Sequence, residues 1–171
     1  INNNDISVDY AGGKFFSVKV TTVDGRAVVG AVVEFTVNGK TAPVKTDAEG
    51  IAKIRITDVP GKYAIKTAYN GKTYTNKVTV KQVLTASKVT VKKTVKKFTL
   101  KATLKINGKL VKGKWITFKF AGKTYKVKTN SKGVAQKTLT KKVINKLKKG
   151  KTYTVKVTYL KDTVKTTVKV K

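Results

Sequence analysis

The side chains able to do acid–base or nucleophilic chemistry are eight carboxylates, seven tyrosines and 39 lysines or arginines; the chain has no His and no Cys. Thiolate nucleophiles, imidazole bases, disulfides and ordinary transition-metal sites are therefore absent. General acid–base work would fall to carboxylates and lysines alone. All the carboxylates but Asp162 lie in the first half, and most stand at expected turns: Asp24 before Gly25, Asp47 and Glu49 before Gly50, Asp58 before Pro60. Asx-type turns account for them. A calcium site drawn from Asp5, Asp9, Asp47 or Asp58 is the competing reading, but no EF-hand spacing occurs and the second half has no counterpart oxygens. The expectation is no catalytic centre, no cofactor and no metal, so not an enzyme.

One covalent alternative is an intramolecular Lys–Asn or Lys–Asp bond, which needs a buried lysine, an amide or acid, and a carboxyl to shuttle protons. Lys19, Glu34 and Asn76 are the first-half candidates. Alternation along each strand turns Lys19 away from Val18 and Val20, and Glu34 away from Val33 and Phe35. Asn76 shares the inward parity of Val78 and Val80. The second half has Lys101 and Thr117 at the matching places and offers no acid there.

Charge is the larger signal. The formal net charge is +31. Residues 1–83 carry 10 Lys and 2 Arg against 7 acids, a balance of +5, whereas 84–171 carry 27 Lys against Asp162 alone, a balance of +26. Parity turns Lys97, Lys101, Lys105, Lys119, Lys126, Lys128, Lys156, Lys165 and Lys169 outward. Such lysines protect sheet edges, but ordinary soluble surfaces mix both signs. Two readings stand: the excess attracts an anionic polymer or surface, or it reflects the composition of the lineage. The second half has no Arg and its aromatics mostly share core parity, so specific nucleic-acid readout is not expected. The densest cluster, Lys141, Lys142, Lys146, Lys148, Lys149 and Lys151, surrounds the apolar stripe Val143, Ile144 and Leu147. It is the candidate polyanion contact, and the stripe itself is expected to cap the end of a sandwich. Trp115, the single tryptophan, falls on the outward parity of its strand. It either contacts a sugar or partner, or packs beneath a lysine stem or neighbouring module.

These residues sit on a unit written twice. Val28–Thr41 aligns with Val111–Thr124 at an offset of 83, and Val44–Ala52 aligns with Val127–Ala135 at the same offset. Tyr63, Tyr69, Val78 and Val80 match Tyr153, Tyr159, Val168 and Val170 at an offset of 90, which implies a seven-residue insertion in the second unit. Period-two alternation predicts strands throughout. Asn38-Gly39, Asn70-Gly71, Asn107-Gly108 and Ala121-Gly122 fit type I′ hairpin turns. The expected fold is all-β: two tandem immunoglobulin-like antiparallel β-sandwiches of about seven strands each. The domains are 1–83 and 84–171, joined near Val83–Ser87, and a short helical insertion lies near 141–149.

The run Gly30-Ala31-Val32-Val33-Glu34-Phe35-Thr36-Val37-Asn38-Gly39, followed by Thr46-Asp47-Ala48-Glu49-Gly50-Ile51-Ala52, resembles bacterial immunoglobulin-like domains of the invasin and intimin kind. It is also similar to repeats of adhesin-like surface proteins from methanogenic archaea. In the second unit Asn130 replaces the Asp, and Gly113-Lys114 replaces the Gly-Ala pair. The resemblance implies extracellular, cell-surface modules stacked as stalks or tips. The partner would be an anionic cell-wall or cell-surface polymer or another cell's surface, and the module a monomer. A passive spacer displaying an adhesive domain elsewhere, or non-specific polyanion binding, are the alternatives. No stretch approaches the roughly 18–20 apolar residues of a membrane span. The asparagines after Ile1 suggest a cut from a longer chain.

Overall fold

β-Branched residues alternating with polar ones form paired strands along almost the whole chain, because a half-buried pleated surface favours them. The computed structural model describes residues 1–171 and separates into two units, Ile1–Lys81 and Gln82–Lys171.

In the first unit the strands are β1 (Ile6–Asp9), β2 (Phe15–Lys19), β3 (Val32–Val37), β4 (Lys40–Lys45), β5 (Ile51–Arg55), β6 (Gly61–Tyr69) and β7 (Lys72–Lys81). Five form a sheet in the order β1-β7-β6-β3-β4, and β2 pairs with β5. Phe16 of β2 and Phe35 of β3 meet edge to face with ring centroids 5.9 Å apart. The two sheets thus share a core, completed by the buried Val18, Val20, Val33, Ile65 and Val78. Burying each such side chain contributes about 1.5–3 kcal/mol.

The second unit contains β8 (Leu84–Ala86), β9 (Val89–Val91), β10 (Lys97–Ile106), β11 (Lys109–Leu110), β12 (Trp115–Phe120), β13 (Lys123–Lys128), β14 (Val134–Thr140), α1 (Lys141–Ile144), β15 (Thr152–Tyr159) and β16 (Asp162–Val170). One sheet runs β13-β12-β15-β16-β9; the other runs β11-β10-β14, with β8 also paired to β10. Phe98 and Phe120 join them edge to face at 6.0 Å.

Four details differ from expectation. The second unit has nine strands, not about seven. Its extra pairings survive in the first unit only as the isolated bridges Asn2↔Lys19 and Thr21↔Ala27. The sheets are not wholly antiparallel either: β1 pairs with β7, and β9 with β16, in parallel. No hairpin connects these partners, so no turn dictates their direction. Residues 83–87 are not a free junction, since Leu84, Thr85 and Ala86 pair with Leu104, Thr103 and Ala102. Finally, only four residues of the 141–149 insertion are α-helical.

All four predicted turns hold two consecutive positive φ angles, as at Asn38 (+51°) and Gly39 (+76°). That is the twist a two-residue hairpin requires. The repeated Thr-Asp/Asn-x-x-Gly motif has one structural task in each unit. Thr46 Oγ1 accepts from Ala31 N–H at 2.9 Å and donates to Val28 O at 2.6 Å. Asp47 Oδ1 accepts from the N–H groups of Glu49 and Ile51, and Asn130 Oδ1 does the same for Lys132 and Val134. The backbone N–H groups of Ile51 and Glu49 hold the Asp47 carboxyl below its ordinary pKa.

Candidate functional site

Period-two alternation carries the lysines of the second unit outward. All are exposed except the half-buried Lys93 and Lys137. Lys93 is a structural cation: its ammonium donates to the carbonyls of Leu147 (2.7 Å), Ile144 (3.1 Å) and Asn145 (3.3 Å). These are carbonyls that a helix end leaves without partners, and a cation there also opposes the helix dipole. Lys137 occupies an inward parity without a bulge, because β10 and β14 stay in register from Lys97↔Thr140 to Thr103↔Val134. It snorkels, with its ammonium 5.3 Å from the Tyr125 ring centroid.

The six lysines expected to form one contact surface are divided between several places. Lys142 and Lys146 join Lys123 around a hollow of about 140 Å³, floored by Val143, Leu147, Tyr125 and Tyr153. Lys149 joins Lys92, Lys93 and Lys171 at a separate hollow of about 340 Å³. Lys141 donates to the Lys93 carbonyl. Lys151 stands 5.3 Å from the Tyr153 ring centroid, and Lys148 is exposed, its backbone N–H donating to the Tyr153 hydroxyl at 2.8 Å. Within the apolar stripe, Ile144 and Leu147 are buried and Val143 is half-buried. The stripe closes the core, with Lys142 and Lys146 beside it.

Trp115 is 57% exposed, and the Lys128 ammonium lies 4.9 Å from its ring centroid. The indole, Thr117, Lys126, Thr158 and Leu160 line a shallow hollow of about 630 Å³ on the outer face of the β13-β12-β15-β16-β9 sheet. Leu160 is 65% exposed and sits at φ +52°. The first unit has Asn70 at that repeat position, a residue that tolerates this conformation far better than leucine. Replacing Leu160 with Asn is expected to raise stability by about 0.5–1 kcal/mol, read as a higher denaturant midpoint. An unchanged or lower midpoint would show that the leucine carries no backbone strain.

Asp162, the only acid of the second unit, is buried. Its Oδ2 accepts from Val83 N–H at 2.7 Å and Leu84 N–H at 3.3 Å, while Oδ1 has no protein hydrogen-bond partner. Burial pushes its carboxyl above the ordinary value, against those two N–H groups. The outward charge of this unit is thus wholly positive. The burial of Asp162 went unread in the sequence, although it shares its face of β16 with Val164, Thr166 and Val168, a parity signal that could have shown it. The roles of Lys93 and Leu160 left no comparable signal.

The first-unit carboxylates assemble no reaction centre. Asp24 pairs with Arg26 at 3.1 Å and Asp9 with Lys81 at 3.5 Å. Asp58 accepts from Asn38 Nδ2 at 3.4 Å. Asp5 accepts from Lys77 N–H at 2.9 Å and Asn76 Nδ2 at 3.2 Å, which together hold its carboxyl below the ordinary value. No group of three or more acids gathers where a metal ion would sit. Lys19, Glu34 and Asn76 lie on β2, β3 and β7, no two of which pair. Lys19 and Glu34 are exposed and Asn76 is buried. The chain holds no catalytic constellation.

No protein-family model matches this chain, and no curated protein matches it. Among solved structures it is similar to the D00-D0 domain of intimin, at 14% identity and a TM-score of 0.40, covering 96% of this chain and 93% of that one. It is similar to invasin, described as a bacterial integrin-binding protein, at 20% identity and a TM-score of 0.37, covering 99% and 38%. A third similarity is to a Ca2+-stabilised, ice-binding adhesin of an Antarctic bacterium, at 15% identity and a TM-score of 0.35, covering 96% and 46%. The chain therefore spans less than half the length of the last two. No helix is long and apolar enough to cross a membrane.

Proposed function

We propose that the chain is a pair of immunoglobulin-like sandwich domains from an extracellular, adhesin-like surface protein. The lysine-rich second domain contacts an anionic cell-wall or cell-surface polymer. One observation carries this reading: every exposed ionic side chain of the second unit is a lysine, and its only acid is buried. Such a surface attracts polyanions over a Debye length and repels other cations. Lysine suits this role as a compact point charge that does not demand one geometry. The first unit, with both signs on its surface, is the neutral-leaning partner.

The test is retention of the full chain on immobilised anionic polysaccharide, with heparin as probe, across a salt series. With about four lysines engaged, affinity is expected to fall about 50- to 150-fold between 50 and 200 mM salt. Replacing Lys123, Lys142 and Lys146 together by Gln is expected to lower the eluting salt concentration markedly. Elution below physiological salt would remove the reading. A second reading as spacer draws support from the placement of exposed lysines on both sheets, Lys101 and Lys105 on one and Lys119 and Lys156 on the other. That reading predicts that charge-neutral wall polymer and anionic polymer are retained equally little.

A further inference from the structure

We infer that the hollow at Trp115 is a subsite for an acidic sugar ring, of the uronic-acid type, within an anionic polysaccharide. The ligand class rests on the polymer reading above; the site rests on independent geometry. Three features coincide on one outer sheet face. The first is an indole 57% exposed, where most aromatic rings of this unit are buried or half-buried. The second is Leu160, exposed and held at φ +52° beside it. The β15–β16 turn, closed by the Tyr159↔Asp162 pair, holds this leucine where the first unit has Asn70. The third is a pair of lysines on β13, for Lys128 and Lys126 stand opposite Trp115 and Thr117 in the β12–β13 register.

The hollow of about 630 Å³ is within the usual range for small-ligand sites. It supplies an apolar wall from Trp115 and Leu160, hydroxyls from Thr117 and Thr158, and an ammonium from Lys126. The apolar C–H face of a sugar ring packs on an aromatic face, while its polar edge reaches hydrogen-bonding groups. Charge then decides which sugar.

In the free protein the Lys128 ammonium rests 4.9 Å from the indole centroid, a cation–π contact. Lys128 does not line the hollow, whereas Lys126 does, and a neutral sugar there leaves the Lys126 ammonium without a charged partner. A sugar bearing a carboxylate takes Lys126 into an ion pair while its ring packs on the indole. No exposed acid of this unit competes for the lysine. The site therefore discriminates acidic from neutral rings through Lys126 and positions the ring through Trp115.

Trp115 is the chain's only tryptophan, so its emission reports this site alone. The experiment titrates tri-galacturonic acid into the full chain at physiological salt, with a neutral galactose trisaccharide as control. The acidic probe is expected to change Trp115 emission saturably, and the neutral one to leave it flat. Lys126→Gln is expected to weaken the acidic probe about tenfold, and Lys149→Gln, at the separate hollow, to leave it unchanged. Trp115→Ala, followed by calorimetry, should abolish the heat of binding without moving the salt at which heparin releases the chain.

An unmoved emission with the acidic probe overturns the inference, as does an equal response to both sugars. A response dependent on protein concentration alone also overturns it, because the indole then belongs to a contact between copies. Heparin retention with a silent Trp115 removes this subsite and leaves the lysine surface standing. Weak retention with a responding Trp115 removes the polymer reading and leaves the sugar site.

Discussion

Gly133→Ala is expected to cost the second unit about 3–5 kcal/mol and to lower its melting temperature by about 15–30 °C. Gly133 has φ +71°, a region in which an L side chain presses on its own backbone. An added Cβ would also lie 2.7 Å from the Leu104 carbonyl oxygen and 3.1 Å from Val111 N. Those atoms cannot yield cheaply. Leu104 N–H donates to Gly133 O at 2.8 Å, and Val111 N–H donates to Leu104 O at 3.1 Å, so relieving the clash breaks the ladder that holds β10. Gly122→Ala is the control: its φ is +76°, but nothing lies within 4 Å of the new Cβ. It should cost only the conformational part, about 1–2 kcal/mol. Amide exchange resolves the effect by unit, with accelerated exchange across 82–171 expected for Gly133→Ala. Equal losses for the two variants would mean that the close approach contributes nothing. Gly50, at the same repeat position and 2.6 Å from the Val20 carbonyl oxygen by the same measure, should reproduce the larger effect in the first unit.

That glycine also shows what sequence reasoning reaches. The Thr-Asp/Asn-x-x-Gly motif was visible as a repeat, and its residue types announce a turn. That the glycine lies against backbone from another strand is a tertiary fact, invisible from spacing. Strand faces were legible because one residue of register slip would invert every side chain; Phe16, Phe35, Ile116 and Phe118 are buried as their alternation demanded. The parallel pairings of β1 and β9 were not legible, since they join the opposite ends of each unit and no local turn chemistry encodes them. The insertion was visible in Val143, Ile144 and Leu147, yet its helix stops after one turn. The carbonyls of Ile144, Asn145 and Leu147 then turn to Lys93, a residue about fifty positions earlier. For the surface, parity sorted exposed lysines from core correctly, but it could not say that the cluster at 141–151 divides among separate hollows. A lone tryptophan at outward parity was a candidate from the start. Its partner Leu160 became meaningful only with its backbone angle.

Asp162→Ala is expected to destabilise the second unit by about 2–4 kcal/mol, because two buried backbone donors lose a charged acceptor. Val83 N–H and Leu84 N–H bond to the Asp162 carboxylate at 2.7 and 3.3 Å and are buried in this arrangement. They hold the start of β8 against the start of β16. Removing the acceptor leaves both donors without a partner, and the entry of the chain into the unit loosens. Asp162→Asn separates that hydrogen-bonding role from charge. The amide oxygen still accepts from both donors, and the amide nitrogen takes the place of the partnerless Oδ1 without burying a charge. Burial raises the native carboxyl above its ordinary value of 3.8, so the folded state holds the proton more firmly than the unfolded chain does. The stabilising contribution is then complete below pH 3.8 and is lost as pH rises through the raised folded value. Asp162→Asn lacks this loss. Its denaturant midpoint relative to the parent should therefore improve between pH 3 and pH 7, while Asp162→Ala stays below both throughout. If instead the parent gained on Asp162→Asn as pH rose, the ionised carboxylate would be the favoured buried form. The positive field of the surrounding lysines would then outweigh desolvation at this one acid.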